Sequence, residues 1–279
     1  MSKGQGKVTT RRQILTMAAA STVGAAVSAV STRATKADGT AASPRSPAGP
    51  HRFGMAIDLD RCMRCQACVV ACAAENNVPA LGPERAAQTR PIHWMDMLIA
   101  DADRSDSELG RGPAPIPCMH CDRPECVKVC PVGATYLSDD GVVSQIWDRC
   151  IGCRYCMAAC PYGRRYYNWT APAWPEGNPS LANPDVALRP AGVVEKCTLC
   201  QHRTRAVLER ARVDEEPVAD VAIHRLPACA SACPAKAITF GDLNDPDSVL
   251  CNLAKDPRVV KLLARLGTAP KVFYLRGRR

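Results

Sequence analysis

Cysteines dominate the chemistry that this sequence can support. The chain has 279 residues and 17 cysteines, and sixteen of the cysteines fall into four groups of four. In chain order the groups are Cys62, Cys65, Cys68 and Cys72; Cys118, Cys121, Cys126 and Cys130; Cys150, Cys153, Cys156 and Cys160; and Cys197, Cys200, Cys229 and Cys233. A proline follows the second, third and fourth groups, and Ala73 takes that place in the first. Cys251 lies outside the groups in an apolar stretch, which predicts a buried, inert thiol.

The third group has the spacing C-x2-C-x2-C-x3-C-P, which is typical of bacterial ferredoxin motifs that bind iron–sulfur clusters. Three thiolates at this spacing ligate one cluster, and the fourth ligates the cluster of a partner motif. The following proline fixes φ and lacks an N–H, so it turns the chain away from the site. The second and fourth groups keep this plan, with four and 28 residues respectively before their third cysteine. The spacing therefore predicts four [4Fe–4S] clusters.

Two other uses of cysteine compete with this interpretation. Structural zinc takes four ligands from paired C-x2-C units, and it gives no role to a third cysteine at x2 and a fourth at x3. The fourth group, whose halves are far apart, is the one most similar to a zinc ribbon. Disulfides are typical of exported chains with many cysteines. They are disfavoured if the protein is exported already folded, because its cysteines are then occupied in the reducing cytosol.

The N-terminal segment has the layout of a twin-arginine signal peptide. Thr10-Arg11-Arg12-Gln13-Ile14-Leu15 precedes a mildly apolar stretch of small residues. We expect a leader at 1–37, a Pro- and Ser-rich linker at 38–52, and a periplasmic protein that attaches to the membrane through partners. General secretion of the unfolded chain is the alternative route. No apolar run reaches the roughly 20 residues of a membrane span.

The net charge gives no support to nucleic-acid binding. The formal charge is +9, but residues 1–37 carry six positive charges and no acid, so +3 remains without them. No basic stripe with interleaved aromatic residues is present either.

Internal repeats predict how the cysteine groups combine. Asp60-Arg61-Cys62 and Asp148-Arg149-Cys150 open the first and third groups, and similar residues follow Cys130-Pro131 and Cys233-Pro234. Asp139-Asp140-Gly141 predicts a hairpin between the second and third groups, which then form one compact unit.

The exchange rule predicts cluster I at Cys62, Cys65, Cys68 and Cys233; cluster II at Cys118, Cys121, Cys126 and Cys160; cluster III at Cys150, Cys153, Cys156 and Cys130; and cluster IV at Cys197, Cys200, Cys229 and Cys72. We expect the spatial order I–II–III–IV.

Several charged and imidazole side chains lie beside these cysteines. Positive charges that could adjust cluster potentials are Arg64, Arg149, Arg154, Arg203 and Lys196. Solvated loop charges are the alternative explanation for each of them. His120 and His202 are expected to hydrogen-bond to the backbone or to cluster sulfur rather than to act in catalysis. No triad or phosphate loop indicates an enzyme active site.

The motifs resemble the ferredoxin-type electron-transfer subunits of complex iron–sulfur molybdoenzymes, over about residues 53–275. The resemblance is carried by Cys62-x2-Cys65-x2-Cys68-x3-Cys72, Cys118-Met119-His120-Cys121, Cys150-Ile151-Gly152-Cys153-Arg154-Tyr155-Cys156, Gly192-Val193-Val194-Glu195-Lys196-Cys197-Thr198-Leu199-Cys200 and Phe240-Gly241-Asp242-Leu243. It implies an α+β fold of two ferredoxin-like dicluster units with large loop insertions. The outer unit is expected at 53–117 and 192–250, the inner unit at 118–191, and a C-terminal helix with a basic tail at 251–279.

The resemblance also implies a function without catalysis by this chain. It implies four [4Fe–4S] clusters that relay electrons in anaerobic respiration or sulfur metabolism. The implied partners are a polytopic quinone-interacting membrane subunit and either a molybdopterin catalytic subunit or a cytochrome c. The alternative is a free-standing periplasmic polyferredoxin that shuttles electrons between enzymes. Large loops at 73–117 and 161–192 disfavour this alternative, because they exceed what cluster binding needs and suit docking.

Overall fold

The computed structural model describes residues 49–79, 84, 90–98, 108–110, 112–171, 182–216, 218 and 220–277. The predicted leader at 1–37 lies outside the described residues, as does most of the predicted linker. In chain order the elements are β1 (Phe53–Asp58), α1 (Ala67–Glu75), β2 (Asp96–Leu98), β3 (Ala114–Ile116), α2 (Glu125–Lys128), β4 (Thr135–Leu137), β5 (Val143–Gln145), α3 (Tyr155–Ala158), β6 (Tyr166–Tyr167), β7 (Val194–Glu195), α4 (Gln201–Asp214), α5 (Asp220–Ile223), α6 (Ala228–Ser231), β8 (Ile238–Asp242), α7 (Val249–Leu253), β9 (Val259–Val260) and β10 (Val272–Leu275). The structure is mixed helix and strand, as predicted. No helix within the described ranges is both long enough and apolar enough to cross a membrane.

A four-stranded sheet with the order β8-β1-β10-β9 joins the first and last described strands. Strand β1 runs antiparallel to β8, with Met55 opposite Phe240, and parallel to β10, with Met55 opposite Val272. Parallel neighbours need a crossover connection, and here the connection is the whole stretch of sequence between Asp58 and Val272.

The prediction of a C-terminal helix and basic tail at 251–279 is wrong for most of that segment. Helix α7 ends at Leu253, and the strands β9 and β10 follow it. Strand β10 is the run Val-Phe-Tyr-Leu, all four residues of which are buried. A continuous run of β-branched and aromatic residues suits a strand that is covered on both faces. The side chain of Arg276 donates to the Glu108 carbonyl at 2.9 Å, so this part of the basic tail is packed against the protein.

The two faces of this sheet pack into two separate cores because successive side chains of a strand point to opposite sides. Phe53, Met55 and Ile57 of β1 face the main core. Ala56 faces a smaller core with Leu250 of α7 and Phe273 of β10. The main core also contains the buried cysteines Cys68, Cys72, Cys118, Cys197 and Cys229. The sheet therefore packs directly against the residues that carry the predicted chemistry.

One small arrangement of helices and strands occurs twice in the structure. In the first copy α1 packs on α6, and α6 also packs on β8, which pairs antiparallel with β1. In the second copy α2 packs on α3, and α2 also packs on β4, which pairs antiparallel with β5. The predicted hairpin at Asp139-Asp140-Gly141 is confirmed, since it joins β4 to β5 with Leu137 opposite Val143. Two further antiparallel strand pairs, β2–β3 and β6–β7, lie outside these two copies.

Candidate metal centres

The structure brings cysteines from different groups together in four sets. We name the sets I to IV after the clusters that they are predicted to hold. The four cysteines of set I, which are Cys62, Cys65, Cys68 and Cys233, line one cavity. Those of set II, which are Cys118, Cys121, Cys126 and Cys160, line another. Each cavity thus takes three cysteines from one group and the last cysteine of another.

Sets III and IV also combine three cysteines of one group with the last cysteine of another. The amide of Asn76 lies 3.5 Å from the sulfur of Cys200 and 3.8 Å from that of Cys72, so it bridges the fourth and first groups. Burial raises the pKa of the Cys72 thiol well above its usual range, and Cys197, Cys229 and Cys200 raise it further.

In set III, burial is the largest influence on Cys156 and raises the pKa of its thiol. Arg165 acts in the opposite direction, while the neighbouring thiols of Cys150 and Cys130 raise this pKa further. Cys130 comes from the second group, so the second and third groups exchange their last cysteines here as in set II.

All seventeen cysteines are described and none forms a disulfide. Within the described ranges, no group of three or more His, Cys, Asp or Glu side chains is placed to hold one bare metal ion. The cysteines of sets I and II instead line two cavities, four cysteines to each. A donor set made only of thiols is the one that iron–sulfur clusters use.

Burial makes these sites unfavourable for uncompensated thiolates. Burial raises the pKa of Cys68 to about 11, and Cys62 and Cys233 raise it further. Burial likewise raises the pKa of Cys121 and of Cys197 to about 12 in each case. Ligand thiols must lose their protons, so a cationic metal centre has to stabilise the thiolates inside these cavities. The donor chemistry and the cavities therefore fit [4Fe–4S] clusters.

Each C-x2-C loop turns through a residue with positive φ at the position before its second cysteine. These residues are Arg64 (φ 58°), His120 (φ 41°), Gly152 (φ 68°) and Leu199 (φ 55°). Left-handed residues in such turns aim successive backbone N–H groups into one concavity, which favours an anion. In the fourth loop the N–H of Leu199 lies 3.4 Å from the sulfur of Cys197. The loops are therefore shaped to surround an anionic thiolate-ligated centre.

The exchanged cysteines Cys130 and Cys233 occupy equivalent positions before β4 and β8. The N–H of Thr135 donates to the sulfur of Cys130 at 3.5 Å, and the N–H of Ala237 donates to that of Cys233 at 3.3 Å. Burial acts to raise the pKa of Cys130, but backbone N–H groups at Thr135 and nearby residues outweigh it and lower that pKa. The similar residues that follow the two cysteines in the sequence thus form similar sulfur-binding turns.

The expected spatial order I–II–III–IV is wrong. Cys229 of set IV interacts electrostatically with Cys68 of set I, and α1 carries cysteines of both sets. Cys197 of set IV interacts most strongly with Cys118 of set II. Set II then meets set III, because α2 packs on α3 and Arg165 interacts with sulfurs of both sets. The order is I–IV–II–III, since exchange of Cys72 and Cys233 makes sets I and IV neighbours.

The charges beside the cysteines differ in their surroundings. Arg149 and Arg154 are exposed, and Arg154 stacks over Tyr167 and Trp169. Arg203 pairs with Glu75. Lys196, in contrast, is fully buried.

Arg165, which the sequence did not single out, is also buried and donates to the sulfur of Cys126 at 3.0 Å. It belongs to an Arg-Arg pair in a loop, and no local pattern marks it.

The two histidines beside the cysteines act in different ways. Nδ1 of His120 accepts from the N–H of Val143 at 3.2 Å, so the predicted bond to the backbone is confirmed. Burial lowers the pKa of His120 well below its usual range, as do the nearby charges of Lys196, Lys271 and Arg165. His202 instead lies 2.6 Å from the Glu75 carboxylate, so a bond to the backbone or to cluster sulfur is the wrong prediction there.

Cys251 lies on α7, away from the four sets. It is half-buried rather than fully buried, and its N–H donates to the hydroxyl of Ser248, which caps the helix. Its neighbour Leu250 belongs to the smaller core, and Cys251 is not among the residues that line the cavities of sets I and II.

Known protein families match the regions that contain the first three cysteine groups. A family model described as a 4Fe-4S dicluster domain matches residues 113–176, and one described as a 4Fe-4S binding domain matches residues 59–75. These domains and the 17 cysteines are consistent with four [4Fe–4S] clusters.

Three curated relatives cover most of the chain. The iron–sulfur cluster-binding subunit of menaquinone reductase from Nitratidesulfovibrio vulgaris is 46% identical over 229 residues, which are 81% of this chain and 89% of that subunit. An iron–sulfur subunit of the Hdr-like menaquinol oxidoreductase from Archaeoglobus fulgidus is 39% identical over 83% of this chain and 86% of its own. One of the subunits of tetrathionate reductase from Salmonella typhimurium is 34% identical over 81% of this chain and 72% of its own.

Substitution of Gly152 tests the loop of set III, with Gly133 as its matched control. Both glycines have positive φ, so an alanine at either position carries left-handed strain of roughly 1–2 kcal/mol. A Cβ at Gly152 would also lie 2.3 Å from the Gly192 carbonyl oxygen, whereas nothing lies within 4 Å of one at Gly133. We expect Gly152→Ala to lose bound iron at a lower temperature than Gly133→Ala, measured by visible absorbance during heating. Equal losses in the two variants would contradict this account of the loop.

Proposed function

The chain belongs to the family of ferredoxin-type iron–sulfur subunits of complex iron–sulfur molybdoenzymes, and on that premise we propose that it relays electrons through four [4Fe–4S] clusters. When bound, each cluster supplies a centre that takes up and releases one electron. The proposed ligands are Cys62, Cys65, Cys68 and Cys233 for cluster I; Cys118, Cys121, Cys126 and Cys160 for cluster II; Cys150, Cys153, Cys156 and Cys130 for cluster III; and Cys197, Cys200, Cys229 and Cys72 for cluster IV.

The observation that carries this proposal is the row of four cysteine sets in the order I–IV–II–III. The two exposed cysteines of the sixteen, Cys65 and Cys153, belong to the sets at the two ends. All four cysteines of set IV, in the middle of the row, are buried. Such a row suits a relay in which electrons enter at one end and leave at the other, while the protein shields the middle from water.

Exposed apolar side chains beside the two end sets support partners at both ends. Met63 and Val70 are exposed near Cys65, and Ile151 and Tyr155 are exposed on either side of Cys153. Exposed apolar groups that cluster at one place are typical of protein–protein contact sites.

We propose that one partner is a polytopic quinone-interacting membrane subunit and that the other is a molybdopterin catalytic subunit or a cytochrome c. The names of the relatives support this choice, since they refer to a menaquinone reductase and to tetrathionate and polysulfide reductases. A free-standing polyferredoxin is not favoured, because these relatives are named as subunits or chains of larger enzymes. The role of this chain is then to conduct electrons, and the catalytic chemistry belongs to a partner.

Purification from gently solubilised membranes through a tag on this chain tests the partners. We expect a multipass membrane subunit to co-purify with it, together with either molybdenum and a large catalytic subunit or covalently bound haem c. Metal analysis and mass spectrometry distinguish these two forms of the complex. A brown, monomeric, fully soluble protein in gel filtration of native extract would instead support the free carrier.

Single serine substitutions test the ligand assignment. Cys153→Ser should remove or convert cluster III and lower the iron content, because serine replaces one of its four thiolates. Cys251→Ser is the matched control and should keep the iron content of the unchanged protein, since Cys251 lies outside all four sets. Iron and labile sulfide per chain are the measurements. Loss of iron in the Cys251 variant would show that the sixteen ligands are wrongly assigned.

We further propose that the protein is exported folded to the periplasm by the twin-arginine route. The support is the Arg11-Arg12 motif in the leader and the need to insert clusters before export. Replacement of both arginines by lysine keeps the charge and should leave cluster-loaded protein in the cytoplasm, as measured by iron content in cell fractions. Unchanged export of this variant would favour the general secretion route.

A further inference from the structure

Two buried cations in this protein have no carboxylate partner among the described residues. Arg165 is 1% exposed and Lys196 is fully buried. The other buried Arg and Lys side chains of the described ranges are paired: Arg164 with Asp96, Arg189 with Glu195, and Lys271 with Asp122. Burying an unpaired cation is costly, so Arg165 and Lys196 require another source of negative charge.

Arg165 lies between sets II and III. One nitrogen of its guanidinium donates to the sulfur of Cys126 in set II at 3.0 Å. Its other terminal nitrogen donates to the uncharged oxygens of Thr135 and Gln145, each at 3.2 Å. Burial acts to lower the pKa of Arg165, but the thiolates of Cys126 in set II and Cys156 in set III outweigh it and raise that pKa. Sulfurs of two sets therefore supply its counter-charge.

Lys196 lies between sets IV and II. Its ammonium group donates to the backbone carbonyls of Val143 and Cys197, which carry no charge. Burial lowers the pKa of Lys196, Cys118 in set II and Cys197 in set IV act to raise it, and the charge of Arg165 lowers it further. One carbonyl partner of Lys196 belongs to Cys197 of set IV, and the other belongs to Val143, which lines the cavity of set II, so its ammonium group lies between these two sets.

We propose that Arg165 and Lys196 are fixed counter-charges, each shared by two neighbouring clusters, that raise the midpoint potentials of those clusters. This inference rests on the proposed function. Reduction adds one negative charge to a cluster that is already anionic with four thiolates, and a cation nearby stabilises the added charge. Arg165 then raises the potentials of clusters II and III, and Lys196 raises those of clusters IV and II. Cluster II depends on both cations, and cluster I depends on neither.

Redox titration of neutral variants in the purified holoprotein complex tests this inference. Each cluster signal in electron paramagnetic resonance is first assigned with a Cys→Ser variant of its own set. We expect Arg165→Gln to lower the midpoint potentials of clusters II and III. We expect Lys196→Met to lower those of clusters IV and II. Each shift should be at least tenfold in the one-electron equilibrium, or about 59 mV. Cluster I should stay unchanged in both variants.

Charge-conserving variants separate the electrostatic role from a packing role. Arg165→Lys and Lys196→Arg should keep potentials close to those of the unchanged protein. Arg164→Gln is the matched control, because Arg164 is a buried arginine at the next position whose charge is paired with Asp96. Arg164→Gln should not lower the midpoint potentials of clusters II and III relative to those of the other two clusters.

The possible outcomes separate this inference from the proposed function. Unchanged potentials in neutral variants with full iron content overturn the inference and leave the relay intact. If both neutral variants lose iron while both charge-conserving variants keep it, the counter-charge role is supported. If all four variants lose iron, the residues act by packing and the inference is wrong. Absence of iron and labile sulfide from the unchanged protein would instead overturn the proposed function.

Discussion

Burial of mutually repelling thiols is the constraint on which the rest of this structure depends. Cysteines such as Cys72 and Cys229 lie inside the main core, where both burial and the neighbouring thiols oppose ionisation. Metal ions reverse this balance, because they bind thiolates and neutralise their charge. Folding and cofactor insertion are therefore coupled, as expected for a protein with few aromatic side chains to build its core. The three phenylalanines are all used in the sheet that supports the sets.

The sheet connects distant parts of the chain to these sets. Strand β1 leads into the first cysteine group, and β8 follows the last, so their pairing brings Cys62 and Cys233 to one cavity. Strand β10 then closes the other side of β1, with Tyr274 donating to the Pro115 carbonyl at 3.0 Å. These contacts span most of the chain, and set I is completed only when its distant parts come together through the pairing of β1 with β8. Long-range pairing of this kind is slow to form, because the intervening chain must first be closed into a loop.

Ion pairs, as well as apolar contacts, connect distant parts of the chain inside the protein. Near set IV, Glu75 is shared by His202 and Arg203. Beside Cys121, Asp122 pairs with both Arg52 and Lys271, which links the start of the described chain to its C-terminal strand. Burial acts to raise the pKa of Asp122, but these two cations outweigh it and lower that pKa. Arg165 and Lys196 differ from these networks, because neither pairs with a carboxylate in the described part of the chain.

Local patterns in the sequence determined much of this protein, and the tertiary structure decided the rest. Cysteine spacing predicted the cluster type, and Asp139-Asp140-Gly141 predicted its hairpin, because both depend on a few consecutive residues. The exchange of cysteines was predicted from the repeats, but the order of the sets was decided by tertiary packing, which places Cys197 of set IV against Cys118 of set II. Strand β10 was not predicted, because a run of four apolar residues is compatible with either a helix or a strand when the neighbouring strands are unknown. The role of Arg165 was not predicted either, because its contacts are distant in sequence. The Cys126 sulfur and the Gln145 side chain that it contacts lie 39 and 20 residues away in the chain.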